Sequence, residues 1–206
     1  MTTYKLHCFK ESGNSYKVAL ALATLGVAWE KVNVDYFDGQ TRQPSWRVQT
    51  NEMGEVPVLE ADGRRLTQSG AILLDLAERF DALRLAEGER SEVLRWLLFD
   101  NHKFTANIAS YRWLRTFAKP APHEAVLAYM RQRTVAALEI VDRHLSTSRF
   151  IVGDRLTVAD LSMVGYVYYP SEELGFDLRA EYPGIGAWMD RVAETPGWKP
   201  PYQLLA

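Results

Sequence analysis

The sequence contains a single cysteine, Cys8, among its 206 residues. One cysteine excludes an intrachain disulfide and a multi-cysteine metal site, and it is typical of proteins in a reducing compartment. The four histidines, at positions 7, 102, 123 and 144, show no metal-ligand spacing such as HExxH. We therefore predict no metal site.

Long apolar runs and an excess of positive charge are also missing. No apolar run approaches the roughly 18 residues of a membrane span, and the first residues, MTTYKLHC, lack the basic-then-apolar pattern of a secretory leader. The formal net charge is −2, whereas polyanionic partners call for basic patches. The sequence predicts a cytoplasmic protein with neither nucleic acid nor membrane as a partner.

The composition, with 47% apolar and 24% charged residues, is that of an ordinary globular protein long enough for two modest domains. Strand and helix patterns alternate over residues 4–80. The predicted elements are a strand over 4–8, a helix ended by Gly26, a strand around Val32 and Val34, an irregular polar stretch over 36–49, strands over 56–60 and 64–67 joined by an Asp62-Gly63 turn, and a helix from Ser69.

Beyond residue 80 the sequence is helical in pattern throughout. Residues 81–88 form a charged linker without an apolar face, and helices are predicted over 89–118, 123–145, 157–169 and 182–194. Thr157 and Asp160 match a capping box at the start of one of them, which we interpret as a folding element. The expected fold is an α+β domain (1–80, βαβ then ββα) followed by an all-α domain (89–206).

Two features of residues 54–72 indicate a binding site for a small peptide. Pro57 cannot donate to a sheet ladder, so Val56-Pro57 is either an edge-strand proline or a cis peptide that turns the Val56 N–H and C=O outward. Ser69 directly precedes a helix, either as a simple N-cap or as part of a helix end that binds a carboxylate. Together, the two would accept an extended peptide with a free α-carboxylate.

The order of elements, with Val-Pro before the third strand, then Gln-Ser-Gly-Ala-Ile and an all-helical domain, resembles the soluble glutathione transferases over nearly the whole chain. The serine-type, bacterial theta- and zeta-like classes are the most similar. The resemblance implies a thioredoxin-like domain that binds glutathione as a co-substrate, a small electrophilic second substrate and a homodimer. It also implies that Val56 and Pro57 hold the cysteinyl backbone and that Gln68 and Ser69 hold the γ-glutamyl group.

The SGNS segment lies where the serine-type relatives place the hydroxyl that contacts the glutathione sulfur. The resemblance assigns this role to Ser12, with Asn14 and Ser15 as alternatives, and some bacterial relatives use the position of Asn14. Taken alone, the segment reads as a loop and helix cap. Cys8 lies inside the first strand, which favours a core residue over a nucleophile.

The resemblance also brings one departure and one further site. Glu55 stands among the glutathione-binding positions where several relatives carry a lysine or arginine, so Arg42 or Gln43 is a candidate for the replaced contact to the glycyl carboxylate. The resemblance implies that the second substrate lies between the loop after the first strand and the long helix of the second domain. The helical stripe there, which reads equally well as packing, contains Phe104, Ile108 and Tyr111, with Arg112 and Arg115 nearby.

Three functions remain open on these residues. The first is glutathione transfer to an electrophilic carbon, with glutathione-dependent isomerisation or peroxide reduction as variants. The second is a non-catalytic glutathione-binding, ligand-carrier or regulatory protein of the same fold. The third, a thioredoxin-like redox protein, requires a CxxC pair or an exposed loop cysteine, which Cys8 does not provide.

Overall fold

A computed structural model of the protein describes residues 4–206, which form two compact units. The first unit holds the described residues up to Arg84 together with Thr195–Ala206, and the second holds Leu85–Glu194. The expected α+β and all-helical parts are both present.

The first unit is built on a sheet covered by helices. Its elements are β1 (Tyr4–Cys8), α1 (Gly13–Thr24), β2 (Trp29–Asn33), α2 (Pro44–Gln49), β3 (Val58–Ala61), β4 (Arg64–Thr67), α3 (Ser69–Arg79) and, in the C-terminal segment, α11 (Pro201–Leu204). Among residues 4–206 the sheet has four strands in the order β2-β1-β3-β4. β1 pairs parallel with β2, while β3 is antiparallel to both β1 and β4.

The period-two pattern of β1 is reproduced in its burial. Tyr4, Leu6 and Cys8 are buried, while Lys5 is exposed. α1 ends as its sequence predicts, since Gly26 follows the helix with φ +63, a backbone conformation that glycine adopts without strain. α1 and α3 pack against each other, α1 against β1 and α3 against β4, and their apolar residues are buried there.

Three sequence predictions in this unit need correction. β2 covers Trp29–Asn33 and so ends before Val34, although the Val34 N–H still donates to the Cys8 carbonyl at 2.9 Å. The stretch 36–49 contains a short 3-10 turn and the helix α2, which Pro44 begins at its first position, where a missing N–H is harmless. β3 starts at Val58, two residues later than predicted, because the Pro57 nitrogen has no N–H to donate.

The C-terminal segment belongs to the first unit, whereas the sequence pattern had grouped it with the helical domain. The Tyr16 hydroxyl donates to the Lys199 carbonyl at 3.0 Å, and Lys31 Nζ donates to the Leu205 carbonyl at 2.9 Å. Gly197 lies against Ala23 so closely that a built Cβ would fall 2.5 Å from the Ala23 carbonyl oxygen. Helical periodicity predicts that such a segment folds but not which sheet it packs against.

The regular elements of the second unit, over the residues that the structure describes, are all helical. Its elements are α4 (Glu89–Phe99), a π-helical turn (Asp100–Phe104), α5 (Thr105–Thr116), α6 (Glu124–Leu145), α7 (Val158–Met163), α8 (Ser171–Leu174), α9 (Leu178–Glu181) and α10 (Pro183–Ala193). α8 and α9 are too short to give a periodic signal and were not predicted. The helix expected over 157–169 ends at Met163, after which the chain continues in turns.

The helix predicted over 89–118 is interrupted by the π-helical turn. Asp100 is fully buried there; its Oδ1 accepts the Thr105 N–H at 3.2 Å, and its Oδ2 accepts the Ser162 hydroxyl at 2.6 Å. A single widened turn leaves the apolar spacing on either side nearly intact, so periodicity could not reveal it.

The predicted capping box at Thr157 is confirmed. Its acid, Asp160, also accepts hydrogen bonds from residues outside the box. Asp160 Oδ2 accepts the Thr157 N–H at 2.9 Å and its hydroxyl at 3.0 Å. Oδ1 accepts the Ile151 N–H at 2.8 Å and Trp188 Nε1 at 2.9 Å. Burial raises the pKa of the Asp160 carboxyl, and these four donated hydrogen bonds oppose the rise. One carboxylate thus connects the start of α7 to α10.

Within residues 4–206, no helix combines the length and the hydropathy needed to cross a bilayer.

Candidate functional site

The strand register brings three loops of the first unit to one end of the sheet. His7, near the end of β1, is opposite Val58 at the start of β3, and Val58 is opposite Thr67 at the end of β4. The turn into α1, the Val56-Pro57 peptide and the turn into α3 therefore lie side by side. This edge gathers the residues that the sequence singled out in separate segments.

Ser12 is the N-cap of α1 and is buried. Its Oγ accepts the Ser15 N–H at 3.1 Å. Within the described residues its hydroxyl hydrogen has no acceptor, so the same group remains able to donate outward. The first turn of α1 carries no acidic residue that would compensate its partial positive charge. The end of this helix is suited to an anion that accepts a hydrogen bond from Ser12.

The two alternatives to Ser12 differ from it in exposure. Ser15 is fully buried, and its Oγ has no hydrogen-bond partner in the described part of the chain. Asn14 is half-buried, and its Oδ1 is likewise buried without a partner among residues 4–206. Of the three side chains, Ser12 is the one that caps α1 through its oxygen. The roles of Ser12, Asn14 and Ser15 at the glutathione sulfur stay predictions.

The Val56-Pro57 peptide is cis, which decides between the two structures that the sequence left open. Val56 lies just outside β3 and is half-exposed. No backbone hydrogen bond within residues 4–206 engages its N–H or C=O. These groups are therefore available to an extended ligand, as the edge of a sheet is to an added strand.

The turn into α3 corrects one residue of the sequence interpretation. Gln68, not Ser69, is the N-cap, and it adopts φ +65, which is uncommon for a residue with a side chain. Ser69 is the first helical residue and is buried, and α3 has no side-chain cap and no acid in its first turn. The N–H groups at this helix end remain available for a carboxylate.

Glu55 is held across this edge by two contacts. Gln68 Nε2 donates to its Oε2 at 2.8 Å, and Asn51 Nδ2 donates to its carbonyl at 2.8 Å. Asn51 is buried, so the backbone leading to Val56 is fixed while the Glu55 carboxylate stays exposed. A negative charge therefore lies beside the N-terminus of α3.

The structure also shows a cation that sequence reasoning missed. Arg47, on α2, lies against Gly54, where a built Cβ would fall 2.8 Å from a guanidinium nitrogen. Arg47 forms no ion pair with any described residue. Arg42, which the sequence suggested, instead lies against Gly39, 2.9 Å from a Cβ built there. The polar stretch before α2 gave no sign of which arginine would reach the Gly54-Glu55 turn.

Cys8 is a core residue, as its place in the alternating strand predicted. It is fully buried, and burial raises the pKa of its thiol to about 12, with Lys31 acting weakly in the opposite direction. A thiol that remains protonated at neutral pH is neither a nucleophile nor a redox centre.

The predicted electrophile-pocket residues lie in the packing of the second unit. The exposed fractions of Phe104, Ile108 and Tyr111 are 0%, 4% and 5%. Such burial supports the packing alternative, and a role in binding the second substrate stays a prediction.

Arg112 is equally enclosed. Its Nε donates to Glu173 at 2.9 Å, and its guanidinium carbon lies 3.8 Å from the centre of the Tyr169 ring. Its charge is thus already compensated within the unit. Across the described residues, no three His, Cys, Asp or Glu side chains are grouped in a way that could hold a metal ion.

Family comparisons agree with the fold. The glutathione S-transferase N-terminal domain model matches residues 3–78, and the C-terminal domain model matches residues 104–196. Together the two matches cover most of the chain, in the order that the sequence resemblance predicted.

Individual relatives point the same way. A crystal structure described as a possible glutathione S-transferase from Rhodopseudomonas palustris is 36% identical with a TM-score of 0.86, covering 96% of this chain and 89% of its own. A maleylacetoacetate isomerase from Rhizobium meliloti is 34% identical over 79% of both chains. Ure2p in complex with glutathione shares the fold at 23% identity, with a TM-score of 0.84 over 94% of this chain and 95% of its own. The chain therefore belongs to the glutathione S-transferase family and, as its sequence predicted, is a glutathione transferase.

Proposed function

We propose that the first unit binds glutathione along the edge formed by Ser12, Val56 and Ser69, and that Ser12 stabilises its thiolate. The observation that carries this assignment is the geometry of Ser12. Its oxygen accepts the Ser15 N–H and its hydroxyl hydrogen has no acceptor among the described residues, so this hydrogen can be donated to a ligand. A hydroxyl that accepts a hydrogen bond from its own helix can still donate its hydrogen to a thiolate. The proton stays on the serine oxygen, and the sulfur stays ionised.

The energy required is within reach of these groups. A free thiol has a pKa near 8.5, and only the thiolate is the nucleophile. Lowering that pKa by about two units needs roughly 2.7 kcal/mol of differential stabilisation. A hydrogen bond to a charged group contributes about 1.5–3 kcal/mol, and a helix N-terminus typically adds about 0.3–1 kcal/mol.

The rest of the tripeptide fits the remaining groups of the same edge. The N–H and C=O of Val56 would pair with the cysteinyl backbone. The γ-glutamyl carboxylate would lie at the N-terminus of α3 with Ser69, and its ammonium group beside the carboxylate of Glu55. We assign the glycyl carboxylate to Arg47, whose guanidinium group lies at the Gly54-Glu55 turn.

This arrangement gives the acidic Glu55 a use that a basic residue would not have. A carboxylate fixed by Gln68 at 2.8 Å recognises an ammonium group, while the cation for the opposite end of the ligand comes from α2. Glu55 thus stands where several relatives carry a base, and in this proposal the cationic contact to the glycyl carboxylate comes from Arg47 instead.

In the proposed reaction the bound thiolate attacks an electrophilic carbon of a small, largely apolar substrate. A carbon–sulfur bond forms, and either a leaving group departs with its electron pair or the carbon of a conjugated double bond takes up a proton. A glutathione-dependent isomerisation is the second candidate, supported by the similarity to the maleylacetoacetate isomerase of Rhizobium meliloti. In that reaction the same thiolate would add to the substrate and would then be expelled as the isomer forms.

We also propose that the protein is a cytoplasmic homodimer. Large apolar side chains are exposed on the second unit, with exposed fractions of 69% for Leu98, 57% for Tyr129 and 43% for Ile140. Exposed apolar side chains of this size are typical of surfaces that a partner covers. Sedimentation equilibrium would give the mass of a dimer, and a monomer mass at micromolar concentration would contradict this assembly.

The ultraviolet absorbance of the thiolate tests the proposal directly. Glutathione is titrated into wild type, Ser12→Ala and Asn14→Ala between pH 5 and 9. We expect a bound thiol pKa about two units below its free value in wild type and Asn14→Ala, and a normal value in Ser12→Ala. A lowered pKa that survives in Ser12→Ala would transfer the role to Asn14 or Ser15. Binding without any shift would indicate a glutathione-binding protein without catalysis.

A further inference from the structure

Four polar side chains share one face of the sheet in the first unit. The strand register pairs Lys5 with Glu60 and Glu60 with Arg65, and residues that are directly opposed point to the same side of a sheet. His7 lies two residues after Lys5 on β1 and so points to this side as well. The face is the one opposite to the buried Leu6.

Three of these side chains form a series of polar contacts that ends on α2. His7 Nε2 lies 3.2 Å from Glu60 Oε1, and the same oxygen accepts Arg65 Nε at 2.9 Å. A second guanidinium nitrogen of Arg65 donates to the Gln49 carbonyl. Because Gln49 is the last residue of α2, the three strands β1, β3 and β4 are linked to the end of this helix.

α2 depends on such contacts because it is short. It has six residues, of which Trp46 is the buried one, and its N-cap, Gln43, forms no side-chain cap hydrogen bond. Helices of this length are not stable alone in water. The carbonyls of a last helical turn have no partner within the helix. A charge-assisted hydrogen bond from Arg65 to one of them therefore holds the end of α2 on the sheet.

The same helix carries Arg47. The Arg47 guanidinium lies against Gly54, where a built Cβ would fall 2.8 Å from one of its nitrogens. Arg47 precedes Gln49 by two residues, so a displacement of the helix end moves both. A guanidinium group binds a carboxylate through a rigid fork of N–H groups, which makes the contact sensitive to position.

We infer that Arg65 is a positioning residue for the glycyl carboxylate of glutathione, and that it acts through the Gln49 carbonyl on Arg47. This inference rests on the proposed function, because Arg47 is the contact assigned to that carboxylate there. The guanidinium group of Arg65 is directed to Glu60 and to Gln49 and not to the ligand. Its effect is therefore confined to the glycyl end of the tripeptide.

Two ligands that differ at the glycyl end separate positioning from a general structural effect. Calorimetry compares glutathione with its C-terminal amide, in which an uncharged CONH₂ group replaces the glycyl carboxylate. The proteins are wild type, Arg47→Ala, Arg65→Ala and Arg64→Ala. Arg64 is the matched control, because it is the neighbouring arginine of β4 and is paired with Asp75 of α3 at 3.8 Å.

We expect wild type and Arg64→Ala to bind glutathione about tenfold more tightly than the amide, a ratio that corresponds to about 1.4 kcal/mol. Arg47→Ala should bring this ratio close to one, and Arg65→Ala should lower it several-fold. The affinity for the amide should be the same in all four proteins, because the amide lacks the group that Arg47 binds. An unchanged ratio in Arg65→Ala, or an equal weakening of both ligands, would overturn the positioning role.

The double variant Arg47→Ala/Arg65→Ala tests whether Arg65 acts through Arg47. Its ratio should equal that of Arg47→Ala alone, and a further fall would show that Arg65 acts on the carboxylate by another route.

The same titrations distinguish failure of this inference from failure of the proposed function. A ratio near one in wild type would overturn the contact of Arg47 and the role of Arg65 together, while glutathione binding stands. If wild type bound neither ligand, the proposed function itself would be overturned.

Discussion

The hydroxyl oxygen of Ser12 accepts the backbone N–H of Ser15 at 3.1 Å, so the side chain that we propose as the sulfur contact is also the cap of α1. These two roles can be separated by substitution. Alanine and glycine both remove the hydroxyl, but glycine is a much better N-cap than alanine.

We therefore expect Ser12→Ala to lower the free energy of unfolding by about 1 kcal/mol and Ser12→Gly by only a few tenths. Both variants should raise the pKa of bound glutathione equally, because neither can donate to sulfur. Urea unfolding and thiolate absorbance are the two measurements. If the thiol pKa rose in Ser12→Ala but much less in Ser12→Gly, it would follow the loss of stability. The helix cap, and not the hydrogen bond to sulfur, would then control the thiol pKa.

Gln68 carries backbone strain at the glutathione edge, since its φ of +65 lies in a region that favours glycine. Such conformations cost of order 1 kcal/mol or more and persist where surrounding structure enforces them. We expect Gln68→Gly to raise the free energy of unfolding by about 1 kcal/mol and Gln68→Ala not to raise it. Both should weaken glutathione binding, because both lose the amide that fixes Glu55. Equal stability of the two variants would show that φ is not strained.

Much of this site follows from residue types, but its assembly does not. The alternation of Tyr4, Leu6 and Cys8 predicts β1, and the Val-Pro and Gln-Ser pairs predict peptide-binding segments. No local pattern reveals that Gln68 takes a left-handed conformation, because glutamine has no preference for one. The shift of the cap from Ser69 to Gln68 is therefore a product of the tertiary fold.

Long-range packing explains the other features of the site that the sequence did not predict. Arg47 reaches Gly54 only because α2 forms within a stretch whose polar composition resembles a loop. A helical stripe such as that of Phe104 and Tyr111 has the same spacing whether it faces a ligand or a core. The sequence predicted the order and type of most elements because these depend on local spacing; which surfaces they share depends on the whole chain.

Asp160 should dominate the stability of the second unit. Asparagine in its place would put an NH₂ group where two of the four donors now point, and would leave buried donors without acceptors. We expect Asp160→Asn to cost about 3 kcal/mol. Thr157→Ser, which keeps the capping hydroxyl, is the control and should cost less than about 1 kcal/mol. Similar losses in the two variants, measured by urea unfolding, would argue against the carboxylate as the shared acceptor.

Glu60 predicts a pH-dependent contribution to stability. Burial acts to raise its pKa, but the hydrogen bond from Arg65 and the nearby His7, whose Nε2 lies 3.2 Å from Oε1, lower it below its ordinary value. Because the folded-state pKa is lowered, the stabilisation is fully present above the unfolded pKa of about 4.3 and is lost as pH falls through the folded value. The Glu60 side chain is 29% exposed, so the contribution should stay below about 1 kcal/mol.

Wild type should therefore exceed Glu60→Gln in unfolding free energy at pH 7, and the two should converge near pH 3. Guanidinium chloride would screen the ion pairs, so urea is the denaturant of choice. If the difference in unfolding free energy grew as the pH fell, the folded-state pKa of Glu60 would be raised and not lowered.

Tyr16 tests whether a tyrosine hydroxyl, and not that of Ser12, contacts the glutathione sulfur. It is fully buried on α1, and its hydroxyl donates to the Lys199 carbonyl at 3.0 Å, which directs it to the C-terminal segment. We expect Tyr16→Phe to leave the pKa of bound glutathione unchanged, while it lowers the free energy of unfolding by about 1 kcal/mol through the lost hydrogen bond. Thiolate absorbance and urea unfolding measure the two effects on the same sample. A raised thiol pKa in Tyr16→Phe, with Ser12 intact, would mean that the tyrosine hydroxyl reaches the sulfur and that the assignment to Ser12 is wrong.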